Sequence, residues 1–304
     1  MTLGLFALGI AWRNAGKLLG MPTSIGETIG GITLVLWLCL LGNYLRRILG
    51  SSNGAKAEFF LQLKNPFFAL VPITTGLMSV VISPYVPTGI AHAFLFLSVI
   101  VQLGFSSYHI GGEWHGKTPM SMETPAMYMP TVGANFASAI ALGAQGFGTW
   151  GYLFFGAGFL SWMSLESAFL FHLRNGEAMP VAKRPQLGIQ LAPAFVGSSA
   201  YLSCNGGHID PVVLGLIGYG ILNLFFALRL MTWILRAGLS LSLWAFSFAM
   251  ASMTNVGFRL WHGAGDASLQ VLGQIFVTFG TGIIALLILL TFYLIISKLH
   301  QIKN

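Results

Sequence analysis

The residues of this chain best suited to chemistry are few. His109, Glu113 and His115 are of types that bind zinc. Three such groups on a glycine-containing segment make a loose pattern, and a solvated loop at a helix end is the expectation. Glu166 and Arg229 are the ionisable residues deepest in long apolar stretches. A lone charge at mid-bilayer costs about 2.5–3.5 kcal/mol on insertion scales. The two are therefore expected to form a structural ion pair between neighbouring helices, or to snorkel to the interface. His208 and Asp210 share a turn with no third partner, and His92 reads as a packed polar residue. Cys39 and Cys204 lie far apart in apolar surroundings and read as buried small hydrophobes. No phosphate-binding loop, dinucleotide fingerprint, HExxH pair or nucleophile elbow appears. The sequence thus implies no catalytic residue, no enzyme activity, no metal and no cofactor.

The elements around these residues belong to a membrane. Of 304 residues, 55% are apolar and only 8% charged, against about 25% charged in a soluble domain. So few charges cannot cover a soluble globule of this size. The net charge of +7 therefore does not point to nucleic acid. In a membrane protein, basic residues sit in loops and set topology.

Ten apolar stretches recur, at roughly 2–12, 28–45, 66–83, 85–108, 125–145, 150–172, 186–204, 211–235, 238–258 and 268–297. Most reach the ~17–25 residues that a spanning helix needs. The fold class expected is an all-α integral membrane protein of ten transmembrane helices. The first stretch, ended by Arg13, gives about 17 Å of helix against a core of ~30 Å. It reads as a half-span or as the remainder of a longer helix, and the second reading is favoured. Twelve basic residues (Arg46, Arg47, Lys56, Lys64, Lys117, Arg174, Lys183, Arg184, Arg229, Arg236, Lys298 and Lys303) fall on one side. Arg13, Lys17 and Arg259 fall on the other. That asymmetry places both termini in the cytoplasm.

An internal repeat organises the spans. Pro66, Pro125 and Pro185 open the third, fifth and seventh helices, 59 and then 60 residues apart. Proline is favoured at a first helical position. A second proline follows at Pro72, Pro130 and Pro193, and a glycine at Gly76, Gly133 and Gly197. Five tandem hairpins are implied, approximately 1–50, 65–110, 124–174, 184–236 and 238–298, within one transmembrane domain. Prolines and polar residues on the odd helices, Thr74, Thr75 and Asn135 among them, suit a central pore. The continuous Leu, Ile, Val and Phe of the tenth helix suits a lipid-facing ring. Candidate pore-lining residues are Pro72, Thr74, Thr75, Pro130, Asn135, Phe136, Pro193, Phe195 and Phe246. With no ionisable group in the midsection of an inner helix, passive movement is favoured over ion-coupled transport.

The segments from Gly188 to Phe195 (GIQLAPAF), Ile217 to Gly220 (IGYG) and Leu243 to Phe248 (LWAFSF), with Tyr152 to Gly158 (YLFFGAG), carry a likeness over almost the whole chain. They closely resemble the bacterial TehA tellurite-resistance family, related to plant slow-type anion channels and fungal malate transporters. The resemblance implies ten helices in five hairpins around one pore per protomer, a homotrimer, and the bacterial inner membrane as its place. It also implies a phenylalanine gate, which the LWAFSF motif puts at Phe248; an aromatic ring across an uncharged pore stops ions by sterics and dewetting. Family members begin with further residues ahead of the equivalent of Gly4, so the first inner helix is expected to be truncated here. Small inorganic or organic anions and the lipid bilayer are the partners implied. A secondary carrier for small carboxylates or for tellurite is the alternative.

Overall fold

A computed structural model describes residues 1–50, 65–116, 124–176 and 178–303. Lys56, Lys64 and Lys117, counted above among the loop charges, lie outside the described residues. Among those described there are ten principal helices and no strand. They are α1 (Thr2–Leu19), α2 (Ser24–Leu49), α3 (Leu70–Ile82), α4 (Thr88–Glu113) and α5 (Ala134–Ala144), then α6 (Gly148–Asn175), α7 (Ala192–Cys204), α8 (Pro211–Leu235), α9 (Ser247–Gly263) and α10 (Ala267–Lys303).

The odd helices make a closed ring. α1 packs on α3, α3 on α5, α5 on α7, α7 on α9, and α9 returns to α1. Each even helix packs on the odd helix before it, so every consecutive pair is a hairpin. The composition of the two sets explains the arrangement. α2, α4, α6, α8 and α10 are 25 to 37 residues long and apolar enough to cross a membrane. They expose large apolar side chains such as Ile32, Leu160, Phe225 and Leu289. Lipid, not water, is the solvent for such a surface. The inner helices bury most of their residues, Phe248 through Phe258 of α9 without exception.

Four of the short inner helices open with a 3₁₀ segment; Pro66 and Pro125 lead theirs, whereas Pro185 lies inside its own and not at the expected first position. Pro66–Ala69, Val181–Gln186 and Leu241–Phe246 are 3₁₀ segments, and Pro125–Tyr128 is followed by a π turn at Met129–Gly133. Asn65 accepts a hydrogen bond from the Phe67 amide at 3.0 Å, holding the first of these starts. A second proline inside a helix removes a donor and crowds the preceding turn. Pro130 sits in the π turn, and its own carbonyl accepts from the Ser106 hydroxyl of α4.

Glycines let the two rings touch. A Cβ on Gly257 of α9 would lie 2.7 Å from the Gly273 carbonyl oxygen of α10, and one on Gly273 would lie 2.6 Å from the Gly257 oxygen. Such backbone contact is how membrane helices gain packing when lipid offers no hydrophobic drive.

The first helix differs from the sequence reading. It does not stop before Arg13 but runs 18 residues to Leu19, about 27 Å at the α-helical rise. Gly20, with φ 65°, then ends it in a left-handed cap. Arg13 is tolerated because every nitrogen of its guanidinium has a partner. Nε and Nη2 donate to Glu27 at 2.8 and 3.0 Å, and Nη1 and Nη2 donate to the carbonyls of Val80 and Val81 at 2.9 and 2.8 Å. Tyr85, in the turn after α3, also donates to Glu27. That bond pushes the Tyr85 hydroxyl above its ordinary pKa.

Candidate functional site

The face of α9 that looks into the ring follows from helical geometry. Successive residues turn about 100°. Gly257, against Gly273 and Phe276, and Thr254 and Met250, against Gly280, fix the side that meets the outer helix α10. Phe258 packs with Ala11 and Ala15 of α1 and meets Trp12 edge-on, ring centres 5.1 Å apart, which fixes the α1 side. Phe248 is nine residues from Gly257, half a turn round the wheel. Ser252, Asn255 and Arg259 stand four, seven and eleven residues after Phe248, within about 40° of it. These four form one stripe opposite the outer helix.

Polar groups gather along this stripe. The Asn14 amide of α1 donates to Asn255 Oδ1 at 3.0 Å, Asn255 donates to Ser199 Oγ of α7 at 3.3 Å, and Ser199 donates to the Ser252 carbonyl at 3.2 Å. The chain of bonds stitches α1, α9 and α7 together. On α1, Ala7, Asn14 and Leu18 form a half-exposed stripe at positions i, i+7 and i+11. On α3, Val71, Thr75 and Ile82 are half-exposed on one face, and Leu70 is half-exposed at the helix start. Phe248 itself is only 6% exposed.

Several of the other expected residues turn outward. Thr74 accepts from the Trp37 indole of α2 at 2.9 Å. Asn135 accepts from Gln102 of α4 at 3.0 Å, and Ser138 donates to the same Gln102 at 2.9 Å. The physical reason is the dry surroundings: a polar group on an inner helix must find its partner in protein. Phe136 and Phe195 are aromatic knobs. A Cβ on Gly158 of α6 would lie 2.9 Å from the Phe136 ring, and one on Gly220 of α8 would lie 3.0 Å from the Phe195 ring. Phe195 also meets Phe276 edge-on at 5.5 Å. Phe246 lies in the 3₁₀ segment before α9, where a Cβ on Gly188 would come 2.6 Å from its ring. It borders an apolar crevice of about 350 Å³ with Leu191, Leu224, Met250, Phe279 and Ile283, on the outer side of α9. Pro72, Pro130 and Pro193 are buried, and their effect is on helix geometry.

The expected Glu166–Arg229 ion pair does not form. Arg229 is exposed on α8. Glu166, 7% exposed, is held by four neutral donors: Tyr219 to Oε1 at 2.5 Å, and Tyr128, Gln190 and Trp162 to Oε2 at 2.7, 2.7 and 3.0 Å. These come from the 3₁₀ start of the third hairpin, from α6, from the approach to α7 and from α8. Four oriented dipoles do here what a cation was expected to do.

At the basic end, His109 and Glu113 approach to 3.5 Å across one turn of α4. At the opposite end, Asp210 caps α8. Its Oδ1 accepts from the Val212 and Val213 amides at 3.0 Å each, and its Oδ2 accepts from Tyr201 at 2.7 Å. The Val213 amide above all, with Tyr201 and Val212, holds this carboxyl below its ordinary pKa. His92 meets Phe147 edge-on at 4.9 Å. Cys204 is half-buried, but Cys39 is exposed on the outer face of α2, so the expectation of burial fails for it. An apolar side chain against lipid needs no burial.

The LWAFSF motif puts the gate at Phe248; Phe246, two residues before it and expected to line the pore, borders the crevice on the outer side of α9. Sequence reasoning missed Ser252, Asn255 and Arg259. Their i+4, i+7 and i+11 spacing from Phe248 is the signal that finds them.

The family model described as "SLAC1: Voltage-dependent anion channel" matches residues 1–296. A Haemophilus influenzae protein named "Tellurite resistance protein TehA homolog" is 38% identical over 294 residues, 96% of this chain and 88% of that protein. "S-type anion channel SLAH3" of Arabidopsis thaliana is 24% identical over 260 residues, 82% of this chain and 40% of that much longer protein.

Proposed function

We propose, from the premise that the chain belongs to the SLAC1 family of voltage-dependent anion channels, that it passes small anions along the axis of its inner ring and that Phe248 is the gate. The observation that carries this reading is the α9 stripe. By its place on the wheel Phe248 faces away from α10 into the ring, and the polar groups beyond it are the neutral Asn255, Asn14 and Ser199, with the Arg259 cation at the end of the stripe. Such donors stabilise an anion without trapping it, and no carboxylate stands on the stripe to repel it. The Phe248 ring, two turns from the nearest amide donor on its own helix, closes the route by filling it with apolar surface.

In this reading Thr75, Asn14 and Asn255 face the pathway. Thr74, Asn135, Phe136, Phe195 and Phe246 tie the inner ring to the outer one. Movement is passive, driven by the gradient and by about 2.3 kcal/mol per charge per 100 mV. The basic loops support both termini lying on the cytoplasmic side of a bacterial inner membrane, and the protein works as a homotrimer with one pathway in each protomer. The name of the Haemophilus relative makes tellurite one anion to test. Purified protein in planar bilayers under a chloride gradient checks the class of function. A reversal potential close to the chloride equilibrium potential supports it. Saturable, proton-dependent uptake without current points to a carrier instead.

A further inference from the structure

The end of the ring opposite the basic loops holds three cations, and one is uncompensated. Arg13 is fully occupied by Glu27 and two carbonyls, and Lys17 is exposed. Arg259 is half-buried on α9, one turn beyond Asn255 on the Phe248 stripe. Its guanidinium lies over the Gly206–Gly207 turn between α7 and α8, where a methyl group on Gly207 would overlap it. Its Nε is buried without a hydrogen-bond partner, and no carboxylate lies within ion-pair distance among the described residues. The three carboxylates at this end are all engaged elsewhere: Glu27 by Arg13, Asp210 by the α8 cap and Tyr201, and Asp266 by Ser268. A half-buried cation normally has a partner, because desolvation without one is costly.

We infer that Arg259 is an anion-capture site at the outer mouth of the pathway, recognising small oxyanions through its planar fork and passing them to the amides of Asn255 and Asn14. The inference rests on the stripe facing the pathway. The chemistry fits at each step. A guanidinium presents parallel N–H groups that match two oxygens of one anion, which a lysine ammonium cannot do. Asn14 and Asn255 each use one amide hydrogen in the bonds above and have a second to offer. At the mouth, a fixed positive charge raises the local anion concentration and does not have to be crossed in mid-membrane.

The test separates capture from conduction. Purified full-length protein is melted in potassium gluconate and in potassium nitrate at equal ionic strength. Wild type is expected to melt about 3 °C higher in nitrate at saturation. Arg259→Gln is expected to lose that rise while its melting point in gluconate is unchanged. Arg259→Lys is expected to fold and to respond to nitrate and chloride equally. In bilayers, Arg259→Gln is expected to lower anion conductance about threefold at ~0.01 M salt and not at ~1 M, where the Debye length is ~3 Å. A nitrate rise that is undiminished in both variants overturns the site. A rise that needs Arg259, in a protein that passes no anion current, upholds the site and refutes the channel.

Discussion

Replacing Glu166 by glutamine tests whether four neutral donors really hold a carboxylate in the dry interior. The substitution keeps the shape and removes the charge. If the new amide takes the place of Oε1, it meets the Tyr219 hydroxyl, 2.5 Å from that oxygen, and the hydroxyl can turn round to accept. If it takes the place of Oε2, it confronts Tyr128, Gln190 and Trp162 together. Neither the indole nor the amide nitrogen can accept, so the first orientation wins. What is lost is the charge assistance on the remaining bonds, about 1 kcal/mol each, given ~1.5–3 kcal/mol for charged and ~0.5–1.5 for neutral partners. These bonds share one acceptor and do not add fully, so Glu166→Gln is expected to cost about 2–3 kcal/mol. Glu166→Ala also orphans all four donors where water does not reach, and about 4–6 kcal/mol is expected. The assay is equilibrium unfolding of the purified protein in mixed detergent micelles, with single-channel conductance read beside it. The predicted result is graded loss of stability, Ala worse than Gln, with conductance per open channel unchanged. A Gln variant as stable as wild type with reduced conductance would refute the reasoning and move Glu166 from scaffold to pathway.

Other substitutions read the same structure. Gly257→Ala places a methyl 2.7 Å from the Gly273 carbonyl oxygen; about 1–3 kcal/mol of stability is expected to be lost. Gly218→Ala, with open space around its Cβ position, serves as the silent control in the same melting experiment. Thr74→Val orphans the Trp37 indole and is expected to lower stability by about 1–2 kcal/mol without changing conductance. Thr75→Val is expected to do the reverse, changing conductance at unaltered stability. Asp210→Ala removes the α8 cap and is expected to cost about 1 kcal/mol, most of it restored by Asn. Because the folded Asp210 carboxyl titrates below its ordinary value, its stabilisation is complete above the ordinary aspartate range. It is lost as pH falls through the depressed folded value. Melting curves of Asp210→Asn should therefore lack part of the acid-side decline seen in wild type.

The hairpin architecture was legible because it is written in local rules. Pro66 and Pro125 mark helix starts, Pro185 falls inside the 3₁₀ segment Val181–Gln186 ahead of α7, and long apolar runs mark the outer ring. What escaped were partners set by the third dimension. Arg13 reads as a helix end until Glu27 and the Val80 and Val81 carbonyls are seen to enclose it. Glu166 and Arg229 attract one another on paper. The structure instead brings Tyr128, Gln190 and Tyr219 to Glu166 from segments 24 to 53 residues away. Polar residues on the inner helices were all assigned to one face, although an inner helix has two. Thr74 and Asn135 use their polarity to bind the outer ring, and only the packing of each helix divides them from Thr75. On α9 the missing information was the position of α10. Once Gly257 fixes it, the wheel separates Phe248 from Met250 and Thr254 by arithmetic.

Phe248→Ala and Phe246→Ala, compared in planar bilayers at equal protein density, test the gate most directly. The first substitution empties the ring-facing position and the second enlarges a crevice on the outer side of α9. The prediction is an anion current at least tenfold above wild type for Phe248→Ala, with the wild-type reversal potential, and no gain for Phe246→Ala. Equal currents from wild type and Phe248→Ala, or a gain confined to Phe246→Ala, would contradict the account.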